Sequence, residues 1–188
     1  MKPLSDTALA RALTLACATL ALLAAPAARA LPDLVVLVRH AEKATDPASD
    51  PGLSDAGQQR AQALADAVRG LRINAVITTQ YQRTRATAAP VVQALGLTPQ
   101  VVETRRGDLP GHVQAVADAV REHTGAVLVV GHSNTVPALL AALGGPRLPD
   151  LCETSFQHVF VLQPGGTAPR WAHWTYGAPS GAPEAQCQ

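Results

Sequence analysis

Leu34-Val35-Val36-Leu37-Val38-Arg39-His40-Ala41-Glu42-Lys43 is an apolar run that ends abruptly in a cation, an imidazole and a charged loop. Five aliphatic residues in succession read as a strand buried on both faces, the kind found at the centre of a parallel sheet. Arg39 and His40 then fall at the carboxyl end of that strand, where open α/β sheets place their ligands. Ala126-Val127-Leu128-Val129-Val130-Gly131-His132-Ser133-Asn134 has the same form. Two buried strands, each delivering a histidine at its carboxyl end, suggest one site built from both.

The chain around these runs alternates between strand and helix signals. Ala44 to Gly52 is dense in turn residues and reads as a loop bordering the Arg-His pair. Ser54 or Asp55 caps a helix that carries Ala61, Leu64, Ala65 and Val68 at helical spacing, with Gly70 as its stop. Ile73 to Thr78 reads as a second strand, and Thr79 to Ala94 as a helix containing Pro90 and ended by Gly96. Gln100 to Glu103 is a weak third strand. Pro110 opens a helix with Val113, Val116, Ala117 and Val120 inward. The fourth strand, Ala126 to Val130, leads to a helix from Thr135 to Leu143. Phe156 to Leu162 and Arg170 to Tyr176 alternate apolar and polar residues, which predicts an antiparallel strand pair at the sheet edge. The order predicts a three-layer α/β/α sandwich with a mostly parallel central sheet and an antiparallel strand pair near the C-terminus.

Composition bounds the function. Lys2 and Arg11 flank the start, Leu13 to Ala25 is uncharged and rich in Ala and Leu, and Ala28-Arg29-Ala30 is a small-x-small site. This is the layout of a secretory signal peptide, with cleavage expected after Ala30 and a periplasmic or secreted product. The apolar run falls short of the roughly 20 residues a bilayer span needs, so no stable membrane span is expected after cleavage. The expected organisation is a signal peptide over 1–30, one domain over 31–176 and a flexible tail over 177–188. Losing Lys2, Arg11, Arg29 and Asp6 with the signal turns a formal net charge of +1 into −1, which does not resemble a nucleic-acid-binding face. Aromatic residues make up 3%, too few for base-stacking platforms. Cys152 and Cys187 remain, and in an oxidising compartment such a pair is expected to form a disulfide tying the tail to the domain.

Three basic features need a common explanation. Arg39-His40 ends strand one, Arg83 lies in the first turn of the helix after strand two, and His132 ends strand four. In a parallel sheet all lie at one end. Two guanidiniums and two imidazoles in a cleft want an anion, and arginine forks match phosphate oxygens bidentately. The guanidiniums depress the histidine pKa and keep a lone pair available near neutral pH. The chemistry this suits is in-line phosphoryl transfer to a histidine nitrogen, then hydrolysis of the phosphohistidine.

Arg39-His40-Ala41-Glu42-Lys43 resembles the Arg-His-Gly signature of the histidine phosphatase superfamily, the phosphoglycerate mutase-like fold. Leu53-Ser54-Asp55-Ala56-Gly57 resembles its Leu-Thr-x-x-Gly helix start, Arg83-Thr84-Arg85-Ala86-Thr87-Ala88 its Arg-Ala-x-x-Thr-Ala segment, and Gly131-His132-Ser133-Asn134 its second histidine. The resemblance runs from about Leu34 to Leu143. It implies His40 as nucleophile, with Arg39, Arg83 and His132 forming a phosphate pocket for a small phosphorylated substrate. The chain has no spare length for the helical insert of longer members and is similar to the short, open type.

Two departures stand out. Ala41 replaces the motif glycine, a small change that leaves room for phosphate. The leaving-group acid is not evident. Some members carry an acid directly after the second histidine, where this chain has Ser133; others use a glutamate after the third strand. Glu103 and Asp108 are the candidates here, with Asp108 preferred because it lies nearer the sheet's carboxyl end. A weak acid favours substrates with good leaving groups. His112, His123, His158 and His173 show no ligand spacing, so neither metal nor other cofactor is expected. Two rival readings follow. One is a non-catalytic phosphate-binding relative. The other is a serine hydrolase using Ser133 with Asp150 and His158 or His173, because Gly131-His132-Ser133-Asn134-Thr135 is similar to a nucleophile elbow.

Overall fold

The computed structural model describes residues 31–165, 168–181 and 187. The expected signal peptide, 1–30, lies outside the described residues. Among the described residues six strands form one sheet: β1 (Leu34–Arg39), β2 (Ile73–Thr78), β3 (Gln100–Val101), β4 (Ala126–Gly131), β5 (His158–Gln163) and β6 (Arg170–Thr175), in the order β3-β2-β4-β1-β5-β6. The first four are mutually parallel. The last two form the expected antiparallel pair, with β5 antiparallel to β1.

Among the described residues four α-helices cover the sheet: α1 (Asp55–Val68), α2 (Gln82–Leu95), α3 (Leu109–Arg121) and α4 (Thr135–Ala142). The two-residue period of β1 assigns them to faces. Val36 and Val38 point into a core with Leu64 and Val68 of α1 and Ala88 and Val91 of α2. Val35 and Leu37 point into a second core with Val116 and Val120 of α3 and Leu139 and Leu140 of α4. A five-residue aliphatic run is what such double burial requires. The architecture is therefore the three-layer sandwich read from the sequence.

Several boundaries differ from the sequence reading. Gly70 does not stop α1. It lies inside a short 3-10 turn, Arg69–Leu71, and Arg72 takes the left-handed conformation at φ 51°. Helix α2 begins at Gln82 rather than Thr79, because Thr79, Gln80 and Tyr81 form the turn that shapes the cleft. Asp50 Oδ1 accepts from Gln82 N at 3.0 Å and serves as a cap from the preceding loop. Strand β3 is only two residues long, since Thr104 N already turns to Gln80 Oε1 at 2.9 Å. Strand β5 starts at His158, because Phe156 leaves the ladder and donates its N–H to Ser180 Oγ at 2.9 Å.

Two glycines mark close approaches. Ser54 N donates to Glu42 O, and Ser54 Oγ accepts from Gly57 N at 3.2 Å, which docks the start of α1 on the loop after β1. A Cβ on Gly57 would lie 2.1 Å from Glu42 O, so only glycine fits there. At the end of β4, a Cβ on Gly131 would lie 2.7 Å from Thr135 Oγ1. That hydroxyl accepts from His132 N at 2.8 Å.

The segment that joins α4 to β5 folds back on the sheet's carboxyl edge. Leu151 N donates to Ser133 O, and Cys152 forms the expected disulfide with Cys187, with Cα atoms 4.9 Å apart. Two described residues of the tail bond to the domain: Gly181 N donates to Thr154 O, and Ala178 O accepts from Arg60 Nη2. Among the described residues no helix is long and apolar enough to cross a membrane.

Candidate active site

Register brings the two histidines together. Arg39 of β1 pairs with Gly131 of β4, and His40 N donates to Gly131 O at 2.9 Å. His40 and His132 are thus the first residues beyond two adjacent parallel strands, and their rings meet edge to face at 5.4 Å. They line a cleft of about 330 Å³ together with Arg39, Arg83, Asp108 and Glu153. Lys43, Arg105 and His112 line it as well.

His40 is buried, and one hydrogen bond fixes its tautomer. Nδ1 lies 2.8 Å from Ala41 O, which can only accept, so Nδ1 carries the proton and the Nε2 lone pair is left for chemistry. Burial is the largest cause and, with the charges of Arg39 and Arg83 added, holds the pKa at about 3 against the opposing hydrogen bond to the Ala41 carbonyl, which outweighs either charge. The sequence reading credits guanidiniums with this shift; desolvation is the larger cause. His132 is likewise held at about 3, first by burial and then by His40 and Arg83. Arg83 Nη2 can only donate, so His132 Nδ1 accepts from it at 3.5 Å, and Nε2–H donates to Thr79 Oγ1 at 3.2 Å.

The two arginines are braced differently. Arg39 stacks on Phe156 at 4.3 Å, and its Nη1 donates to Cys152 O at 2.6 Å and Ser155 O at 3.1 Å. Nη2 donates to Glu153 Oε2 at 2.7 Å. Its Nε–H is buried with no acceptor among the described residues. The guanidinium is thus held on three acceptors with one buried donor unmatched. Arg83 stacks on Tyr81 at 4.2 Å, and its Nη1 lies 3.9 Å from Asp50. Thr87 connects the two segments: Oγ1 accepts from Ala41 N at 2.9 Å and donates to Arg83 O at 2.7 Å.

Asp108, the preferred acid in the sequence reading, lines the cleft. Its carboxylate also caps α3, with Oδ1 accepting from Gly111 N at 2.9 Å. Glu103 is not on the cleft wall; its carbonyl accepts from His112 Nδ1 at 3.2 Å. Sequence reasoning missed Glu153 and His112. Glu153 Oε1 accepts from Ser133 Oγ at 2.7 Å. The serine-hydrolase reading fails on the same bond: Ser133 meets a carboxylate and no imidazole, while His158 Nδ1 pairs with His173 Nε2 at 2.8 Å. Among the described residues no group of three or more His, Cys, Asp or Glu is placed to hold a metal ion.

Two imidazoles and two guanidiniums meet at the carboxyl edge of the sheet's parallel strands in an α/β fold. The model of the Histidine phosphatase superfamily (branch 1) matches residues 35–107, in agreement with the resemblance read from the motifs. No curated protein matches the chain in sequence. Among solved structures, the protein histidine phosphatase SixA complexed with tungstate is 20% identical, covers 76% of this chain and 96% of its own, and superposes with a TM-score of 0.58. A mycobacterial glucosyl-3-phosphoglycerate phosphatase complexed with VO3 is 18% identical, covers 78% and 99%, and gives a TM-score of 0.56. At these identities the likeness is one of fold.

Proposed function

We propose that this chain is an exported phosphatase that hydrolyses a small phosphorylated substrate, a phosphomonoester in the first instance, through a phosphohistidine on His40. The observation that carries the reading is the state of His40: neutral, buried, and held by Ala41 O so that Nε2 keeps its lone pair at the floor of a cationic cleft. The Nε2 lone pair attacks phosphorus, the bond to the leaving oxygen breaks, and water then displaces the phosphoryl group from nitrogen. Arg39, Arg83 and His132 hold the equatorial oxygens and stabilise their developing charge. The two structures named above, one a protein histidine phosphatase and one a glucosyl-3-phosphoglycerate phosphatase, support the reaction class and leave the substrate open. The segment before Leu31 supports export.

Trapping tests this directly. A radiolabelled phosphomonoester should leave an acid-labile, base-stable label on wild type, mapped to His40, and His40→Ala should lose both label and turnover. Absence of label across a broad panel of phosphorylated compounds would sink the proposal in favour of a phosphate-binding protein.

A further inference from the structure

The sequence leaves the reaction without an evident acid, and the structure offers one from an unexpected place. Glu153 follows Cys152 in the segment between α4 and β5, far from every motif. Three contacts bring it to the cleft. Its Oε2 accepts from Arg39 Nη2 at 2.7 Å, its Oε1 accepts from Ser133 Oγ at 2.7 Å, and the segment that carries it is bonded to Ser133 O through Leu151 N. Ser133 directly follows His132. Glu153 therefore presents a carboxyl group beside both the phosphate clamp and the second histidine. Its side chain is 75% exposed, which leaves it free to turn toward a leaving group at the cleft mouth.

We propose that Glu153 is the general acid and base of this site, an inference that rests on the phosphatase reading above. As the His40 Nε2 lone pair forms the nitrogen–phosphorus bond, the bond from phosphorus to the ester oxygen breaks, and the carboxyl proton of Glu153 passes to that oxygen. Alcohol leaves, and Glu153 remains as carboxylate. Water then attacks phosphorus, its proton goes to Glu153, the nitrogen–phosphorus bond returns its electrons to His40, and inorganic phosphate leaves.

The resting state has to be reconciled with this role. Burial raises the Glu153 pKa, but the Ser133 hydroxyl bond and the charge and hydrogen bond of Arg39, with Lys43 behind them, outweigh it and hold the group below the usual carboxylate range. The free site thus holds a carboxylate against its own clamp. A bound phosphoryl group competes for the Arg39 donors and sets negative charge beside Glu153. Both changes raise the carboxyl pKa. A phosphomonoester has a second pKa of about 6, so its monoanion can also bring the proton in. Asp108 lacks such a linkage: its carboxylate serves the end of α3, and neither clamp residue is bonded to it.

Leaving-group dependence tests the role. Wild type, Glu153→Gln and Asp108→Asn are compared by kcat/KM on phosphomonoesters from dinitrophenyl phosphate to alkyl phosphates. A leaving-group acid matters only where the departing oxygen needs a proton. Glu153→Gln should lose about a hundredfold or more on alkyl phosphates, within the usual range for general acid catalysis, and under about threefold on dinitrophenyl phosphate. The retained dinitrophenyl activity also shows that the variant is folded. An equal loss across the series would reduce Glu153 to a brace for Arg39 and overturn the proposal. So would a steepened dependence in Asp108→Asn with Glu153→Gln unchanged. Wild-type turnover that disappears in His40→Ala upholds the phosphatase reading whichever way Glu153 falls; wild type inert on the whole series removes both.

Discussion

The fold buries two arginines beside β1, and they differ in what is left over. Arg60 of α1 grips Glu42 with Nε and Nη2, at 2.9 and 2.7 Å, and gives its remaining reach to Tyr176 O and Ala178 O. Its partner carboxylate is only 22% exposed. Arg39 is equally buried, yet its partner Glu153 is 75% exposed and its Nε–H has no acceptor among the described residues. A closed fork is a structural tie, because nothing remains to attract a ligand. An open fork costs stability when alone and repays it when an anion arrives. Under the proposed function, the same residue type serves architecture on one side of His40 and chemistry on the other.

Breaking the open fork should have the largest effect. Arg39→Lys keeps the charge and loses the planar donor set, so kcat/KM should fall by about a thousandfold, the scale of removing a key transition-state donor. Steady-state kinetics on one ester checks it, and a loss below tenfold would contradict the clamp. Breaking the closed fork should instead strike stability. Glu42→Gln should cost about 2 kcal/mol by chemical denaturation, less than the 3–5 typical of a fully buried pair. Its sign with pH can be stated. Burial raises the Glu42 pKa, but the bonds from Arg60 and the local backbone prevail, so the folded value lies below the usual one. The contribution is then complete above the unfolded pKa of about 4.3 and fades as pH falls through the folded value, an acid sensitivity the variant should lack. The approach of α1 to that pair gives a third effect, again on stability. Gly57→Ala must push the helix start off the Glu42 carbonyl and should cost about 1–3 kcal/mol, read as a lower denaturation midpoint.

The comparison also explains what the sequence makes legible. Arg39, His40, Arg83 and His132 each follow a local pattern, a buried strand or the first turn after one, and a parallel sheet puts such positions at one end. The strands themselves are legible because double burial demands unbroken aliphatic runs. Glu153 follows no pattern. It reaches Arg39 across 114 residues of chain, from a segment with neither helical nor strand periodicity. Its one sequence signal is adjacency to Cys152. Arg60 is hidden for the opposite reason: on an amphipathic helix a lone arginine reads as solvated, and only its tertiary partners show it buried. Gly70 misled because glycine is a common helix stop, whereas here it is Arg72 that takes the left-handed conformation.

The disulfide ties these contacts to the C-terminal hairpin. Cys152 lends its carbonyl to Arg39 and its sulfur to Cys187, so one residue both braces the clamp and anchors a covalent strap. The strap spans 35 residues and encloses the β5–β6 hairpin. On a chain-entropy view a closure of that length restricts the unfolded chain by about 4 kcal/mol. The strap closes around a hairpin that pairs with β1, so the carbonyl that braces Arg39 is tied covalently to the far side of that hairpin.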